Sequence, residues 1–169
     1  MTAQKISKEE IKERLKDIQL LSLDVDGVLT DGGMYYTDDG RQMRKFNVKD
    51  GMGIVQVVQT DVEVCIITAS KSDVINKRAQ DLGVTRVYAG TEDKLRSLTK
   101  VCHELKLDLS NVAHIGDDVN DIDVLNNVGL SITVSDAVPE VLQTVDFITA
   151  KEGGKGAVRE ICDLIVASR

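Results

Sequence analysis

The sequence predicts an α/β fold in which helices cover both faces of a doubly wound parallel sheet. Three observations support this fold class. After about residue 50 the chain alternates short apolar runs of strand character with amphipathic segments of helical periodicity. Acidic or hydroxyl residues follow several apolar runs, as they do where parallel strands end at one edge of a sheet. The 169 residues are 42% hydrophobic with a single proline, so we expect one domain spanning 1–169.

The first predicted elements are a helix, a buried strand and a hairpin. Ser7-Lys8-Glu9-Glu10 is a capping box that opens a helix ending near Ile18, and an apolar strand follows at residues 20–24. Asp38-Asp39-Gly40 lies between two short β-prone runs, which predicts a β-hairpin flap over about residues 32–49.

Helices and strands alternate along the rest of the chain. Further helices are expected at residues 51–60, 72–83, 92–105, 119–126, 136–144 and 156–167. Further strands are expected at residues 63–68, 86–88, 112–116, 130–133 and 146–148. This alternation is typical of a parallel sheet with helical crossovers.

Composition limits the classes of function. A net charge of −7 argues against a nucleic-acid-binding surface, because affinity for a phosphate backbone depends on clustered Lys and Arg. No apolar run approaches membrane-spanning length, so we expect a soluble, cytoplasmic protein. The three cysteines include no C-x-x-C pair, which fits a reducing compartment. We therefore expect Cys65, Cys102 and Cys162 to pack in the core.

Two aspartates separated by one residue follow the first apolar strand. Side chains at i and i+2 of a strand lie on the same face, so Asp24 and Asp26 are expected side by side at a strand terminus. Carboxylates that close repel each other unless a cation, a shared proton or hydrogen-bond donors stabilise them. Val28 and Leu29 exclude an EF-hand calcium loop, which needs Asp or Asn and then Gly at those positions. The pair predicts a magnesium site, a nucleophile beside a proton donor, or both.

Further polar residues follow other predicted strands. Thr68 and then Ser70 come after one strand, and Lys94 begins the helix after the next. The acidic segment Gly116-Asp117-Asp118-Val119-Asn120-Asp121 follows a third. Taken alone, Thr68 could be a turn former and the acidic segment a helix cap. His114 alternates with apolar residues and is expected to pack rather than to catalyse.

This ordered set of motifs resembles the haloacid dehalogenase superfamily, and its phosphatases in particular. The matching residues are Asp24-Val25-Asp26-Gly27-Val28, Thr68, Lys94 and Gly116-Asp117-Asp118-Val119-Asn120-Asp121. The resemblance implies a Rossmann-like sheet of the haloacid dehalogenase type. It also implies a magnesium-dependent phosphoric monoester hydrolase that works through an aspartyl phosphate.

The resemblance assigns a role to each of these residues. Asp24 would attack phosphorus, and Asp26 would protonate the leaving alcohol and later activate water. The expected ligands of Mg²⁺ are Asp24, the backbone carbonyl of Asp26 and Asp117, supported by Asp118 or Asp121. The residues expected to hold the phosphoryl oxygens are Thr68 and Lys94.

The spacing of the motifs leaves no room for a cap domain. Only the hairpin and one helix fit between Asp24 and Thr68, and only a helix and a strand fit between Thr68 and Lys94. An uncapped site stays open to water, so we expect a neighbouring subunit to close it. The hairpin, which carries Met34, Tyr35 and Tyr36, is the expected contact, although ordinary sheet packing would explain the same residues.

Within the superfamily the closest resemblance is to uncapped 3-deoxy-D-manno-octulosonate 8-phosphate phosphatases and their relatives acting on nine-carbon ulosonate phosphates. The segments behind it are residues 24–32, 46–53 and 153–160. It implies a homotetramer with packed hairpins that supplies a sugar acid for lipopolysaccharide and other surface glycoconjugates. The residues expected at the substrate are Phe46, Asp50, Gly51, Ser70, Lys71 and Arg78.

Two departures leave the substrate open. Thr68-Ala69-Ser70 stands where the octulosonate enzymes usually read Ser-Gly-Arg, and Lys71 or Arg78 would have to replace that arginine. The nine-carbon enzymes carry Glu in place of Ser70 and Lys in place of Asp81. The alternatives are a phosphatase of a sialic-acid-type 9-phosphate or other sugar phosphate, a receiver-like phosphoacceptor module, or a silent oligomerisation domain.

Overall fold

The apolar runs of the sequence form a central parallel sheet. The computed structural model describes residues 5–169. Its strands are β1 (Leu20–Leu23), β2 (Tyr35–Tyr36), β3 (Gln42–Met43), β4 (Glu63–Thr68), β5 (Arg86–Ala89), β6 (Val112–Ile115), β7 (Leu130–Thr133) and β8 (Phe147–Ile148). Within this range six of them make one sheet in the order β5-β4-β1-β6-β7-β8, with parallel pairing throughout. The predicted doubly wound sheet is confirmed.

Helices cover both faces of this sheet. They are α1 (Lys8–Leu15), α2 (Val48–Val58), α3 (Asp73–Asp81), α4 (Lys94–Leu105), α5 (Ile122–Leu125), α6 (Pro139–Thr144) and α7 (Ala157–Ala167). Buried residues of α1, α2, α3 and α7 belong to one apolar cluster with the sheet. Buried residues of α4 belong to a second cluster on the other face.

The strands are apolar on both sides because both faces are covered. In β1, Leu20 belongs to the α4 cluster and Leu21 to the opposite one, as the strand period of two requires. In β4, Cys65 and Ile66 alternate in the same way. All three cysteines are free and buried, which confirms their predicted packing role.

The predicted hairpin flap is present, but its paired strands are short. β2 and β3 pair antiparallel, with Tyr35 opposite Met43. Gly40 in the turn has a φ of 81°, a left-handed conformation that glycine adopts without strain. An isolated bridge between Thr30 and Phe46 ties the base of the flap to the loop after β1.

Three helices begin three residues away from their predicted starts. α2 begins at Val48 rather than at residue 51, because the Asn47 side chain accepts a hydrogen bond from the Lys49 N–H and caps the helix there. The segment predicted as one helix from residue 119 begins as a 3₁₀ turn, Val119–Asp121, before α5. The helix predicted from residue 136 begins at Pro139, whose fixed φ suits the first helical position.

The chain has the uncapped arrangement that the motif spacing predicts. In the described residues, only the hairpin and α2 lie between β1 and β4, and only α3 lies between β4 and β5. None of the helices within residues 5–169 combines the length and apolar character needed to cross a bilayer.

Candidate active site

Three aspartates come together at the carboxyl edge of the sheet. Asp24 follows β1 and Asp117 follows β6, and these two strands are neighbours. The chain order reverses direction at β1, which is where open α/β sheets place their ligands. One carboxylate oxygen each from Asp24, Asp117 and Asp121 lies within 4.8 Å of the others.

Asp24 is buried at this edge and held by two neighbouring groups. Its side chain is buried, with the Val25 N–H donating to Oδ1 at 2.7 Å and Lys94 Nζ 2.9 Å from Oδ2. Burial and the charge of Asp121 raise the pKa of Asp24 to about 7, although Lys94 opposes this shift. The Asp24 carboxyl group therefore ionises less readily than usual, even though the Lys94 ammonium group lies beside it.

Asp117 faces Asp24 across the site with a carboxylate oxygen unsatisfied. Among the described residues nothing hydrogen-bonds to its buried Oδ1. Burial and the charge of Asp24 raise the pKa of Asp117 to about 7. A Cβ on Gly27 would overlap this carboxylate, so the glycine of the first motif leaves the space that Asp117 occupies.

Asp121 lies at the base of the cluster and is fully buried. It accepts hydrogen bonds from Lys94 Nζ at 2.6 Å and from His114 Nε2 at 3.1 Å. Burial alone would raise the pKa of Asp121, but the hydrogen bond from His114 and the charge of Lys94 outweigh it and lower the pKa to about 2. His114 packs inside the sheet, as predicted, and its Nδ1 lies 2.9 Å from Ser22 Oγ. The ring therefore connects β1 to the acidic cluster.

Of the two aspartates expected to support the metal ligands, the structure brings only Asp121 to the cluster. Asp118 is exposed, and its Oδ1 accepts a hydrogen bond from the Val119 N–H at 2.7 Å, capping the 3₁₀ turn. Thr68 is buried at the end of β4, where its Oγ1 accepts from the Ser70 N–H at 3.2 Å. Lys94 begins α4 and is 3% exposed, because its ammonium group reaches inward between two carboxylates.

Asp26 is bound by a residue that sequence reasoning missed. Arg44, from the flap, places Nε 2.7 Å from Asp26 Oδ1 and Nη2 3.2 Å from Asp26 Oδ2. The same Nη2 donates to Ser70 Oγ at 2.7 Å. The sequence shows several cations in the flap, and no local signal separates Arg44 from Arg41 or Lys45.

An open cleft of about 730 Å³ extends from Asp26 along the flap. It lies between the hairpin and the loop that follows β4. Its lining includes Asp26, Arg41, Arg44, Ser70, Lys71 and Asp73. Its volume is in the usual range for small-ligand sites.

Comparison with known proteins identifies the family. A family model described as haloacid dehalogenase-like hydrolase matches residues 67–161, which is more than half of the chain. The chain belongs to this family.

Relatives of this haloacid dehalogenase-like hydrolase share its sequence over almost the whole chain. The protein of Escherichia coli (strain K12) named 3-deoxy-D-manno-octulosonate 8-phosphate phosphatase KdsC is 41% identical over 160 residues, which cover 95% of this chain and 85% of that protein.

Two solved structures share its fold. The 3-deoxy-D-manno-octulosonate 8-phosphate phosphatase of Moraxella catarrhalis, in complex with a magnesium ion, a phosphate ion and KDO, has a TM-score of 0.93 and 36% identity, covering 96% of this chain and 94% of that one. The cobalt-bound deoxy-D-mannose-octulosonate 8-phosphate phosphatase of Haemophilus influenzae has a TM-score of 0.88 and 33% identity, covering 92% and 91%.

The acidic cluster of this haloacid dehalogenase-like hydrolase fits a magnesium ion. Carboxylate oxygens are the ligands Mg²⁺ prefers, and three carboxylates converge here. The unsatisfied Oδ1 of Asp117 and the raised pKa values of Asp24 and Asp117 show a site short of positive charge. A divalent cation supplies that charge without the protons that would otherwise neutralise the carboxylates.

The residues expected at the substrate divide into two groups. Ser70 and Lys71 line the cleft. The other four, Phe46, Asp50, Gly51 and Arg78, border a separate cavity of only about 10 Å³ between α2 and α3. The single chain therefore places these four away from the cleft, and a contact between them and substrate remains a prediction.

Local packing accounts for the second group. The Asp50 carboxylate accepts hydrogen bonds from the backbone N–H groups of Gly156 at 3.2 Å and Arg159 at 2.8 Å, so it caps α7. The Arg78 guanidinium stacks 5.7 Å from the centre of the Phe46 ring. A Cβ on Gly51 would overlap that guanidinium. In the described chain Asp50 therefore has a structural role, and its expected contact with substrate stays a prediction.

Proposed function

We propose that this chain is a magnesium-dependent phosphatase that hydrolyses 3-deoxy-D-manno-octulosonate 8-phosphate to the sugar acid and phosphate. The observation that carries the proposal is the convergence of Asp24 and Asp117 within reach of one cation, with Lys94 bound to Asp24. Similarity over 95% of the chain to enzymes named for this reaction supports the choice of substrate.

In the first step, an oxygen of Asp24 attacks phosphorus and the bond to the sugar oxygen breaks. The product is an aspartyl phosphate, and Asp26 protonates the departing alcohol. In the second step, Asp26 takes a proton from water, which attacks phosphorus and releases phosphate from Asp24. Each carboxyl group returns to its starting state.

The other buried groups orient and stabilise. Lys94 holds Asp24 and Asp121 together, and with Thr68 it would bind the phosphoryl oxygens. Asp24, Asp117 and the backbone carbonyl of Asp26 would hold Mg²⁺, which when bound offsets the charge of the carboxylates and the phosphate. Asp121, in the same cluster, would support these ligands.

We also propose a homotetramer in which the flaps pack together, formed from one domain spanning 1–169. The exposed apolar residues of the flap support this assembly, since four of them are at least 46% exposed: Met34, Tyr35, Tyr36 and Met43. A cytoplasmic location is supported by three free, buried cysteines, which suit a reducing compartment.

The test is phosphate release from a panel of sugar phosphates, each assayed with Mg²⁺ and with a chelator. We expect the octulosonate 8-phosphate to give the highest kcat/KM and the chelator to abolish turnover. Asp24→Asn should lower kcat by about 10³-fold or more because it removes the nucleophile. Asp163→Asn, at an exposed aspartate of α7 outside the acidic cluster, is the matched control and should keep its activity.

A higher kcat/KM for a nine-carbon 9-phosphate would transfer the assignment to the runner-up substrate. Appreciable turnover by Asp24→Asn would show that Asp24 is not the nucleophile. Activity that resists the chelator would contradict the proposed role of Mg²⁺.

A further inference from the structure

Arg44 is a flap residue whose charge points into the protein. Its side chain is 1% exposed, whereas Arg41, from the same hairpin, is 79% exposed and pairs with Asp39. The Arg44 guanidinium contacts Asp26 through two nitrogens and Ser70 through one of them. One arginine thus joins the flap to the loops that follow β1 and β4.

The Asp26 contact conflicts with the step that Asp26 performs. Both carboxylate oxygens of Asp26 accept N–H donors from Arg44, in the two-pronged arrangement that guanidinium and carboxylate prefer. A carboxyl group that carries a proton to a leaving alcohol has to give up at least one of these contacts, because its O–H is a donor. Arg44 therefore has to move, or change partner, before turnover.

The cleft shows what kind of partner could replace Asp26. Three cations, Arg41, Arg44 and Lys71, line it beside two carboxylates, Asp26 and Asp73. An anionic group that enters therefore meets an excess of positive charge. Guanidinium binds any carboxylate in the same planar geometry, which makes exchange of one carboxylate for another a small step. A ligand whose phosphate is its only anionic group has no carboxylate that could replace Asp26 as the partner of Arg44.

We propose that Arg44 is a specificity-determining residue: it leaves Asp26 when substrate binds and pairs with the carboxylate of the sugar acid. This inference rests on the proposed function. Binding of the sugar acid then frees Asp26 for proton transfer. A phosphate ester without a carboxylate leaves Asp26 paired with Arg44, and it should therefore react more slowly. The flap therefore selects substrates by their second anionic group.

The experiment compares two substrates and two arginine variants. The substrates are 3-deoxy-D-manno-octulosonate 8-phosphate, which has a carboxylate, and p-nitrophenyl phosphate, which has none. We expect Arg44→Gln to lower kcat/KM for the sugar acid phosphate by about 10- to 100-fold, in line with loss of one charge-assisted pair. The same variant should leave kcat/KM for p-nitrophenyl phosphate unchanged or higher, because Asp26 is no longer engaged.

Lys45→Gln is the matched control from the same flap, because the Lys45 side chain is 61% exposed, pairs with Asp31 and is not part of the cleft lining. It should change both values less than about threefold, since exposed ion pairs contribute little. Arg44→Lys keeps the charge but not the planar fork, and it should lose part of the preference for the sugar acid. This second variant keeps the test valid if thermal melting shows that Arg44→Gln disturbs folding.

Two outcomes would overturn the inference alone: an equal loss on both substrates in Arg44→Gln, or no loss on either. If the unmodified protein itself showed no preference for the sugar acid phosphate, the proposed function would fail first. The ratio of the kcat/KM values for the two substrates in the unmodified protein therefore distinguishes failure of the proposed function from failure of this inference.

Discussion

Asp24 and Asp117 are two carboxyl groups held close together with little access to water. The pKa of each is raised to about 7, by burial first and by neighbouring carboxylates second. An acid whose pKa is raised by folding binds its proton more tightly in the folded state. Its contribution to stability is present below the pKa of the unfolded chain, about 4, and is lost as pH rises through the folded value.

The metal-free protein should therefore lose stability between about pH 4 and 7. We expect its Tm to fall by roughly 5–10 °C between pH 5 and pH 8, since about 1 kcal/mol moves Tm by 2–4 °C in a domain of this size. Mg²⁺ at pH 8 should restore Tm, because the cation replaces the missing protons. The measurement is thermal unfolding in chelator and in Mg²⁺ across this pH range.

Two aspartate variants separate this effect from general acid lability. Asp117→Asn should flatten the pH dependence and abolish the response to Mg²⁺, since it removes one of the repelling charges and a ligand. Asp163→Asn should keep both, because Asp163 is an exposed residue of α7 outside the acidic cluster. A Tm independent of pH in chelator would contradict the electrostatic account.

At the scale of elements, the α2–α7 contact joins the middle of the chain to its last helix. Asp50, in the first turn of α2, is 1% exposed and accepts from two N–H groups at the start of α7. Burial raises its pKa, and these hydrogen bonds oppose the shift. The N-terminal turn of α7, which has unpaired N–H groups by geometry, is thus satisfied by a carboxylate from a neighbouring helix.

Asp50→Ala should destabilise the protein by about 2–3 kcal/mol, because buried donors at the start of α7 lose their acceptor. The kcat/KM of the folded variant should change little, since Asp50 lies outside the cleft. Urea unfolding and steady-state kinetics at low temperature measure the two effects. Asp163→Asn, on the exposed face of α7, is the control and should lie within about 0.5 kcal/mol of the parent. A large loss of kcat/KM with stability intact would restore Asp50 to the substrate site.

Sequence reasoning succeeded where the signal is local and periodic. The alternation of apolar runs with helical segments predicted the parallel sheet. The positions of Asp24 and Asp117 after two of these runs predicted that they meet, because the carboxyl ends of parallel strands lie at the same edge of a sheet. The contact of Arg44 was not predictable, because its partner Asp26 is 18 positions away and only the fold of the flap brings the two together. The contact between Asp50 and the start of α7 was not predicted either, since the sequence around an aspartate does not reveal whether its carboxylate faces a ligand or a helix terminus.

At the scale of the whole molecule, a protein with a net charge of −7 gathers three cations along its cleft: Arg41, Arg44 and Lys71. They outnumber the two carboxylates that line the same cleft, Asp26 and Asp73, and so favour an anionic substrate there. The cleft remains open along the flap, and an uncapped site is wet. A neighbouring chain packed on the exposed residues of the flap would both bury them and narrow the cleft.

Charges placed on the flap should therefore dissociate the proposed tetramer. Tyr36 and Met43 are 59% and 53% exposed, and Tyr36→Glu with Met43→Glu would place like charges at each contact between chains. Light scattering after size exclusion should show an assembly for the parent and a monomer for the double variant, with kcat/KM at least about 10-fold lower because the cleft is open to water. Val166→Glu, at an exposed apolar residue of α7, should leave both mass and activity unchanged. A parent protein that is monomeric and fully active at every concentration would rule out both the assembly and its role in closing the site.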